Sequence, residues 1–394
     1  MITVAEALER LFALVTPLGE EEVPLTAAAG RVLARPIAAR RSQPPFNASA
    51  MDGYAVRQAD VAAGGRLKII GESAAGHGFS GSVGAGEAVR IFTGAPVPDG
   101  ADQVILQEDV AREGDVITLS SEAGKSINIR AMGADFGPGD SLSAPRRLSP
   151  ADIALAAAMN HATLPVTRRP EVAIIATGDE LVAPGDAPGP DQIIASNTYG
   201  LYAQLQALGA LPRLLPIARD TLESLALAFR LAEGADLVIT VGGASVGDHD
   251  LVGEAAAGAG LERSFWKVAM RPGKPLMAGR MGEAMLLGLP GNPVSALVCG
   301  SIFMAPVITA MLGLPQGAAQ RRMARLAAPL AANGPREHYL RAKSGPEGVT
   351  AFSKQDSSLL SVLSEADCLI VQPPGDPARA VGETVEIVPI GNGH

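Results

Sequence analysis

The spacing of hydrophobic and polar residues changes several times along this chain, and each change predicts a separate structural part. Thr3 and Glu6 have the spacing of a capping box in front of an apolar helical stripe, so a helix is predicted to begin near residue 4. Farther along, short β-rich runs alternate with glycine-rich turns. This texture predicts a small all-β domain over residues 44–134.

A helical pattern returns after this β-rich stretch. Within residues 135–168, Ser149 is a good N-cap residue and Pro150 suits the first helical position. We therefore expect residues 1–43 and 135–168 to form one elongated helical module, with the β-domain inserted between its two parts.

Residues 169–318 alternate between apolar runs of strand length and amphipathic helical stretches. The predicted strands cover 171–176, 213–218, 236–241 and 285–289, and the predicted helices cover 198–208 and the segment from Asp220 to about Gly234. This alternation is typical of a three-layer α/β domain with a parallel sheet and right-handed crossovers. Sheets of this kind bind ligands at the carboxyl ends of their strands.

The C-terminal part of the chain, residues 319–394, again shows short strands. The runs HYLRAKS, GVTAFS, DCLIVQP and ETVEIVPI predict a small β-barrel or sandwich, and we expect the barrel. The predicted fold class is therefore multidomain α/β plus β: a central α/β domain, an inserted β-domain, an N-terminal helical module and a C-terminal β-barrel.

Residues 284–320 carry no charge and are apolar enough to raise the question of a membrane span. Four prolines interrupt the stretch, at positions 290, 293, 306 and 315. A strand, a turn and a buried helix bent near Pro306 account for the stretch better than a span does. We expect no contact with a membrane.

Composition and charge narrow the classes of partner. A net charge of −9 and an aromatic content of 4% argue against nucleic acid, which favours a basic face and aromatic stacking platforms. Cys299 and Cys368 lie far apart in apolar surroundings, which predicts two buried thiols rather than a disulfide or a zinc site. The N-terminal stretch is an amphipathic helix without the pattern of a signal peptide, so the expected location is cytoplasmic.

Three glycine-built turns follow predicted strands, at residues 177–180, 242–250 and 290–293. Because the carboxyl ends of parallel strands lie at one edge of a sheet, we expect the turns to converge on one site. Glycine lets the backbone approach a ligand closely. The edge is therefore the predicted ligand-binding site.

The first two turns carry different chemistry. Thr177-Gly178-Asp179-Glu180 could hold a hard cation or a ligand amine, although helix capping by an acid is an alternative. Gly242 to Gly247 resembles a phosphate-binding nest but matches neither the dinucleotide nor the P-loop pattern. Asp248 and Asp250 after it are either Mg²⁺ ligands or solvated loop acids, and the pattern leaves both open.

Cations are expected at the same site. Lys267, Arg271 and Lys274 lie in or beside a rigid turn with Gly273, which indicates an oxyanion or phosphate site in preference to a solvated basic face. The turn at 290–293 opens the uncharged helix, whose first amides could hold an anion.

Two further motifs lie in the predicted β-domain. Asp52 precedes a glycine in SAMDGYA, and Thr93 lies in the tight turn of IFTGAP. By themselves both read as β-turns. The five histidines are scattered and assemble into no metal or nucleophile–base arrangement.

Taken together and in order, these motifs resemble the molybdopterin molybdenumtransferase family, the group that includes the gephyrin E domain. The matching segments are SAMDGYAV, RIFTGAPVPDGAD, NIR, ATGDELV, IIASN, GGASVGDHD, FWKVAMRPGKPL and LPGNPVSAL. They span nearly the whole chain, so the resemblance is specific.

The resemblance implies a reaction in which molybdate is inserted into adenylylated molybdopterin and AMP leaves. It also implies a homodimer whose active site lies between the α/β domain of one subunit and the β-domain of the other. Mg²⁺, held by Glu180, Asp248 or Asp250, is the implied cofactor. The molybdopterin adenylyltransferase and apo-molybdoenzymes are further implied partners.

The motifs and the resemblance together predict the site residues. The predicted catalytic residues are Asp52, Thr93, Glu180, Asp220, Asp250, Lys267, Arg271 and Lys274. The predicted substrate-binding residues are Thr177, Gly178, Asp179, Asn197, Gly242, Gly243, Ser245, Gly247, Pro290, Gly291, Asn292, Pro293, Ser295, Arg341, Ser357 and Ser358.

The chain departs from the family pattern at a few positions. Asn47-Ala48 replaces a usual Asp-Asn, Ala134 replaces a usual Glu, and Arg271 replaces a usual Lys. Arginine keeps the charge but changes the donor geometry. The alternative functions are a molybdopterin adenylyltransferase, a gephyrin-like scaffold and a tungstate-specific enzyme.

Overall fold

The computed structural model describes residues 1–243 and 251–390. The chain divides into two compact units. One contains residues 1–21 and the chain from Thr167 onward, and the other contains residues 22–166.

The helices are α1 (Val4–Leu14), α2 (Pro150–Ala158), α3 (Asn197–Leu208), α4 (Leu222–Leu231), α5 (Leu251–Gly258), α6 (Pro293–Cys299), α7 (Ala305–Met311) and α8 (Leu360–Glu365). A π-helical turn, Gly300–Met304, joins α6 to α7. Short 3₁₀ turns cover Leu25–Ala27, Gln58–Asp60 and Gln107–Asp109.

The strands up to residue 167 are β1 (Glu20–Pro24), β2 (Val32–Leu33), β3 (Ile37–Ala38), β4 (Ala48–Ser49), β5 (Gly53–Val56), β6 (Arg66–Ser73), β7 (Glu87–Ile91), β8 (Gln103–Leu106), β9 (Val110–Glu113), β10 (Val116–Leu119), β11 (Ile129–Arg130), β12 (Ser141–Leu142), β13 (Arg146–Arg147) and β14 (Thr163–Thr167). The next strands are β15 (Glu171–Ala176), β16 (Leu181–Val182), β17 (Ile193–Ile194), β18 (Leu211–Leu214), β19 (Leu237–Val241), β20 (Leu261–Trp266), β21 (Met270–Arg271), β22 (Met277–Met281) and β23 (Ala284–Leu289). The C-terminal strands are β24 (Arg322–Arg325), β25 (Glu337–Gly345), β26 (Gly348–Ala351), β27 (Cys368–Gln372) and β28 (Thr384–Pro389).

The unit of residues 22–166 contains many short strands, as the sequence predicts for residues 44–134. Its largest sheet has the order β8-β5-β7-β6-β10-β9, and a second sheet has the order β1-β14-β2-β13. Helix α2 begins where expected: Ser149 and Asp152 form a complete capping box, and Pro150 follows the cap. Both halves of the capping box are internal to this unit.

Helix α1 also begins at its predicted capping box of Thr3 and Glu6. It packs against β20, β22 and α7, and Arg10 Nη1 donates a hydrogen bond to the carbonyl of Ser264 at 3.1 Å. The buried stripe of α1 is apolar, so it stabilises the α/β unit, and the sequence pattern alone did not indicate which surface it covers.

The central sheet of the larger unit has the order β18-β15-β19-β23-β22-β20. The first four strands are parallel as predicted, but β22 and β20 are antiparallel to their neighbours. The reason is local: β22 and β23 form a hairpin closed at Gly282, which has φ of 59°. The sheet is therefore mixed.

Two predicted boundaries shift for identifiable reasons. The strand expected at 213–218 is β18, which ends at Leu214 just before Pro216, a residue without an amide to donate. The N-cap of α4 is Thr221, whose hydroxyl accepts from Ser224 N, so Asp220 does not cap this helix. The Asp220 carboxylate is thereby left for other contacts.

The uncharged segment Pro293–Met311 forms a continuous helical stretch long and apolar enough to cross a membrane. Over its apolar window, 78% of the residues are buried within the protein, as for the core helix of a folded domain. The π-helical turn Gly300–Met304 lies just before Pro306, and the bend expected near Pro306 stays a prediction.

The C-terminal strands form a sheet of order β21-β25-β27-β28-β24, with β26 paired to β25. Strand β21 comes from the α/β part of the chain and pairs in parallel with β25, so the Arg271 loop is attached to this sheet. Closure of the sheet into a barrel stays a prediction.

The substitution Ser149→Ala tests the capping box of α2. The Ser149 hydroxyl accepts from Asp152 N at 3.2 Å and donates to the Asp152 carboxylate at 2.7 Å. We expect the free energy of unfolding to fall by about 1 kcal/mol in urea denaturation. Ser80→Ala, at an exposed position outside helices and strands, is the control, and an equal loss there would contradict the cap as the cause.

Candidate active site

A pocket of about 930 Å³ lies at the carboxyl ends of β15, β19 and β23. Its described walls combine the glycine turns with the segment before α3. The lining residues are Ala176, Thr177, Gly178, Glu180, Leu181, Ile193, Ile194, Ala195, Ser196, Asn197, Thr198, Asp220, Val241, Gly242, Gly243, Leu251, Val252, Pro275, Pro290, Gly291, Asn292, Pro293 and Ser358. The expected convergence of three separate turns on one sheet edge is therefore present.

Backbone hydrogen bonds join the three strand ends that form the floor. Thr177 N donates to the carbonyl of Val241 at 3.0 Å, and Gly242 N donates to the carbonyl of Leu289 at 3.2 Å. These bonds extend the parallel ladders of β15, β19 and β23 by one residue into the turns. The turns are consequently fixed relative to one another before any ligand arrives.

Glycine is required at this edge for a steric reason. Gly242 has φ of 99°, and a Cβ there would lie 2.6 Å from the carbonyl oxygen of Thr177. Gly178 has φ of 150°, and the carboxylate of Glu180 occupies the space that a Cβ would need. Because these two glycines have no side chain, the backbone at Gly242 and the carboxylate of Glu180 can pack closely at the pocket floor.

Asn197 links two walls of the pocket. Its side-chain amide donates to the carbonyl of Gly291 at 2.6 Å, so the start of α3 is tied to the turn before α6. At that turn Val294 N donates to the carbonyl of Ser357 at 3.1 Å, and Ser295 is buried. The helix amides expected to bind an anion are thus partly used within the protein, which weakens that prediction.

Three carboxylates, those of Asp179, Glu180 and Asp220, lie close together at one side of the pocket. Asp220 N donates to Asp179 Oδ1 at 3.3 Å, and Arg219 holds the carbonyl of Asp179 at 3.0 Å. Desolvation, followed by the charges of Asp179 and Glu180, raises the pKa of Asp220. Such mutual repulsion would be relieved by a cation or by hydrogen-bond donors of a ligand.

The predicted cations belong to a loop at the border of the pocket. Of that loop, Pro275 lines the described wall, whereas Lys267 places its ammonium 3.9 Å from the centroid of the Trp266 ring. Arg271 is exposed, and in the parallel pairing of β21 with β25 it lies opposite His338. Contact of Lys267, Arg271 and Lys274 with a ligand stays a prediction.

His338 lies beside this loop and was not singled out from the sequence. It is buried, and desolvation together with the charges of Arg271, Arg336 and Arg341 lowers its pKa to about 4. The imidazole is therefore neutral at physiological pH. The positive charge around His338 is therefore carried by the three arginines and not by the imidazole.

Arg341 is 1% exposed and holds the segment that carries Ser357 and Ser358. Its guanidinium donates to Gln355 Oε1 at 3.2 Å and to the carbonyl of Asp356 at 2.9 Å. Ser358, which lines the pocket, is fixed in turn by Asp356, whose carboxylate accepts from both the Ser358 amide and hydroxyl. In this conformation Arg341 acts behind the pocket wall, and its direct contact with a ligand stays a prediction.

Asp52 and Thr93 form a small site of their own within residues 22–166. Asp52 Oδ1 accepts from the Thr93 amide at 2.7 Å and from its hydroxyl at 2.8 Å. These two hydrogen bonds, aided by the charge of Arg90, hold the pKa of Asp52 below its usual value. The two predicted residues are therefore partners, with an exposed carboxylate that is ionised at neutral pH.

Several predicted residues lie outside the described part of the chain: Ser245, Gly247, Asp248 and Asp250. Among residues 1–243 and 251–390, no group of three or more His, Cys, Asp or Glu side chains has the arrangement of a metal site. Of the proposed metal ligands, Glu180 is thus the one whose position is known.

Part of the pocket wall was not predicted from the sequence. Ile193, Ile194 and Pro275 line the pocket and lie in segments that match the family, but none of them is among the predicted site residues. The sequence did contain a signal for the two isoleucines. They are consecutive apolar residues in a glycine- and proline-rich connection, outside every predicted strand and helix of the core.

The substitution Gly242→Ala tests the close packing of the strand ends. Alanine at this position would be destabilised both by the positive φ and by the steric contact of its Cβ with Thr177. Gly234→Ala is the control, since Gly234 has φ of 81° but open space at its Cβ position and pays only the backbone cost of about 1 kcal/mol. Urea unfolding should show a clearly larger loss for Gly242→Ala; equal losses would contradict the steric argument.

The substitution Asp220→Asn tests the carboxylate cluster by its pH dependence. Because the folded-state pKa of Asp220 is raised above its usual 3.8, the folded chain binds a proton more tightly than the unfolded chain. Ionised Asp220 therefore costs stability, and this cost appears as pH rises through the window above 3.8. We expect Asp220→Asn to raise the melting temperature near neutral pH and to lose this effect below that window.

Asp191→Asn, which removes a different exposed carboxylate of the same unit, is the control for that measurement. A gain that is the same at acidic and neutral pH would rule out repulsion between the carboxylates as its source.

Comparisons with known proteins agree with this architecture. The model of the MoeA N-terminal region (domain I and II) matches residues 2–160, and the model of the MoeA C-terminal region (domain IV) matches residues 323–390. Between them, the model described as a probable molybdopterin binding domain matches residues 173–310, where the pocket lies.

Related proteins cover the chain from end to end. A molybdopterin molybdenumtransferase of Haemophilus influenzae is 35% identical over 99% of this chain and 98% of its own length. One from Nostoc sp. is 38% identical over 80% of this chain and 76% of its own length. The crystal structure of a molybdopterin biosynthesis MoeA protein from Pyrococcus horikoshii superposes with a TM-score of 0.87, with 31% identity and complete coverage of both chains. On this evidence the chain belongs to the molybdopterin molybdenumtransferase family.

Proposed function

We propose that the protein is a molybdopterin molybdenumtransferase, which inserts molybdate into adenylylated molybdopterin and releases AMP to give the molybdenum cofactor. The observation that carries the proposal is the pocket at the ends of β15, β19 and β23. It brings three separate family motifs together in a chain that matches a protein named molybdopterin molybdenumtransferase over 98% of that protein's length.

The residues of the pocket meet the demands of such a substrate. A phosphoanhydride and a molybdate ion both need hydrogen-bond donors, which the cations of the neighbouring loop would supply. The Ser358 hydroxyl adds a polar group on the C-terminal side. In the reaction an oxygen of water or of molybdate attacks the anhydride, AMP leaves with one phosphate, and the other phosphate stays on molybdopterin. The two dithiolene thiols displace molybdate oxygen, which leaves as water with the thiol protons, so molybdenum keeps its oxidation state.

We propose Mg²⁺ as the cofactor, held by Glu180 together with Asp248 or Asp250. Desolvation and then the charges of Asp179 and Glu180 raise the pKa of Asp220, so negative charge that a cation would balance is already collected beside Glu180. The described carboxylates do not by themselves have the arrangement of a metal site, so the proposal needs Asp248 or Asp250 as a further ligand. Carboxylate oxygens are also the ligands that Mg²⁺ prefers. When bound, the ion would neutralise charge on the anhydride and assist departure of AMP.

We further propose that the enzyme is a homodimer in which Asp52 and Thr93 complete the active site of the partner subunit. The support is geometric: Asp52 and Thr93 lie in two separate family motifs, are hydrogen-bonded to each other, and present a carboxylate that is exposed and therefore accessible to a partner. This proposal includes the four-part layout of a helical module at 1–43 and 135–168, a β-domain at 44–134, an α/β domain at 169–318 and a C-terminal barrel at 319–394. A cytoplasmic location is part of the same proposal.

The direct test uses purified protein with adenylylated molybdopterin, Mg²⁺ and molybdate. We expect AMP release that depends on molybdate, together with activation of an apo-molybdoenzyme. Formation of adenylylated molybdopterin from ATP would instead identify an adenylyltransferase. Tungstate in place of molybdate tests the choice of oxyanion.

Variants test the proposed roles separately. Glu180→Ala and Asp250→Ala should abolish AMP release while the oligomeric state stays the same, and unchanged turnover would reject the metal assignment. Mixing an Asp52→Ala chain with a Lys267→Ala chain should restore activity to about a quarter of the wild-type value, because half of the exchanged dimers carry one intact site. No recovery after subunit exchange would reject the shared site.

A further inference from the structure

The most apolar wall of the active-site pocket is exposed without an evident structural reason. Ile193 is 58% exposed and Ile194 is 37% exposed, and both line the pocket together with Leu181. Exposed β-branched side chains in a polar cleft cost free energy unless a ligand covers them. The wall therefore indicates an apolar, ring-sized part of the ligand.

This wall is held in place before a ligand binds. Strands β16 and β17 pair in parallel with Leu181 opposite Ile193. Ile193 N donates to the carbonyl of Glu180 at 2.8 Å, and Ala195 N donates to the carbonyl of Val182 at 2.9 Å. Among the described residues that line the pocket none is aromatic, so a flat ring would pack on aliphatic side chains here.

A carboxylate lies at the border of the same wall. Glu180 is joined to Ile193 by the backbone hydrogen bond, and Asp220 lies close enough to Glu180 for their charges to interact. Asp220 lines the pocket and is released from helix capping by Thr221. A ligand ring that packs on the two isoleucines would thus have one edge facing hydrogen-bond acceptors, the carboxylate oxygens at this border.

We propose that the wall formed by Leu181, Ile193 and Ile194 binds the pterin ring of the substrate, with the Asp220 carboxylate accepting hydrogen bonds from its aminopyrimidinone edge. This inference rests on the proposed function and assigns one half of its substrate to one side of the pocket. The purine of the nucleotide half lies elsewhere.

The chemistry of the ring edges selects the pterin. A 2-amino-4-oxopyrimidine presents two adjacent donors, its ring N–H and its amino group, and these match the two oxygens of a carboxylate. The Watson–Crick edge of adenine presents one donor and one acceptor, so a carboxylate would leave an acceptor facing negative charge. Asp220 therefore accepts a pterin and rejects an adenine.

The test compares two small ligands that differ at this edge. Pterin has the 2-amino donor, whereas lumazine has an oxo acceptor in its place. We expect the wild-type protein to bind pterin about tenfold more tightly than lumazine, measured by titration of ligand fluorescence. Asp220→Asn, which offers one acceptor and one donor, should reverse this preference.

A second variant tests the apolar wall. Ile193→Ser should weaken the binding of both ring ligands about tenfold and should raise the KM for adenylylated molybdopterin. Because Ile193 is exposed, its removal should leave the folded state intact. Leu227→Ser is the matched control: Leu227 is 49% exposed on α4 and does not line the described pocket, so it should change neither affinity nor turnover.

Three results would overturn the inference. They are equal affinity for pterin and lumazine, no measurable binding of pterin up to its solubility limit, or a loss of AMP affinity rather than pterin affinity in Ile193→Ser. The last result would assign the wall to the purine. Turnover of the wild-type protein with complete substrate is measured in parallel, so that a wrong ring assignment with normal turnover is distinguished from a failure of the proposed function.

Discussion

The active-site pocket depends on the parallel pairing of β15, β19 and β23, whose ladders continue into the turns beyond each strand. The hydrogen bonds from Thr177 N to Val241 and from Gly242 N to Leu289 set the distance between the turns. A Cβ at Gly242 has no room within this arrangement. Every other contact of the pocket, including the Asn197 bond to Gly291, is built on these fixed strand ends.

Around this floor the pocket separates opposite kinds of chemistry. Asp179, Glu180 and Asp220 place negative charge at one side, next to the aliphatic wall of β16 and β17. The loop with Arg271 is attached to the C-terminal sheet through β21, and the segment with Ser358 is held by the buried Arg341. The C-terminal strands thus contribute to the site by positioning two loops. A substrate with a ring system, a charged linkage and an oxyanion can be divided among these regions.

Much of this was predictable because the relevant signals are local. The capping box at Thr3, together with the N-cap residue Ser149 and the Pro150 after it, gave the starts of two helices, and apolar runs between glycine turns gave the strands. The convergence of the turns followed from the rule that parallel strands share their carboxyl edge. The antiparallel strands β22 and β20 and the early end of β18 were not foreseen, since a hairpin at Gly282 and the effect of Pro216 compete with the apolar pattern.

The sequence by itself determined the family, the order of the motifs and the chemical types gathered at the sheet edge, because glycines, carboxylates and cations are recognisable wherever they occur. Only the tertiary structure decided where each side chain lies and what it contacts. It buried Arg341 behind the wall, freed Asp220 by giving the helix cap to Thr221, packed α1 on the α/β unit and left Ile193 exposed in the pocket. These outcomes depend on contacts between residues far apart in the chain, where burial and hydrogen-bond partners are set by neighbours that no local pattern specifies.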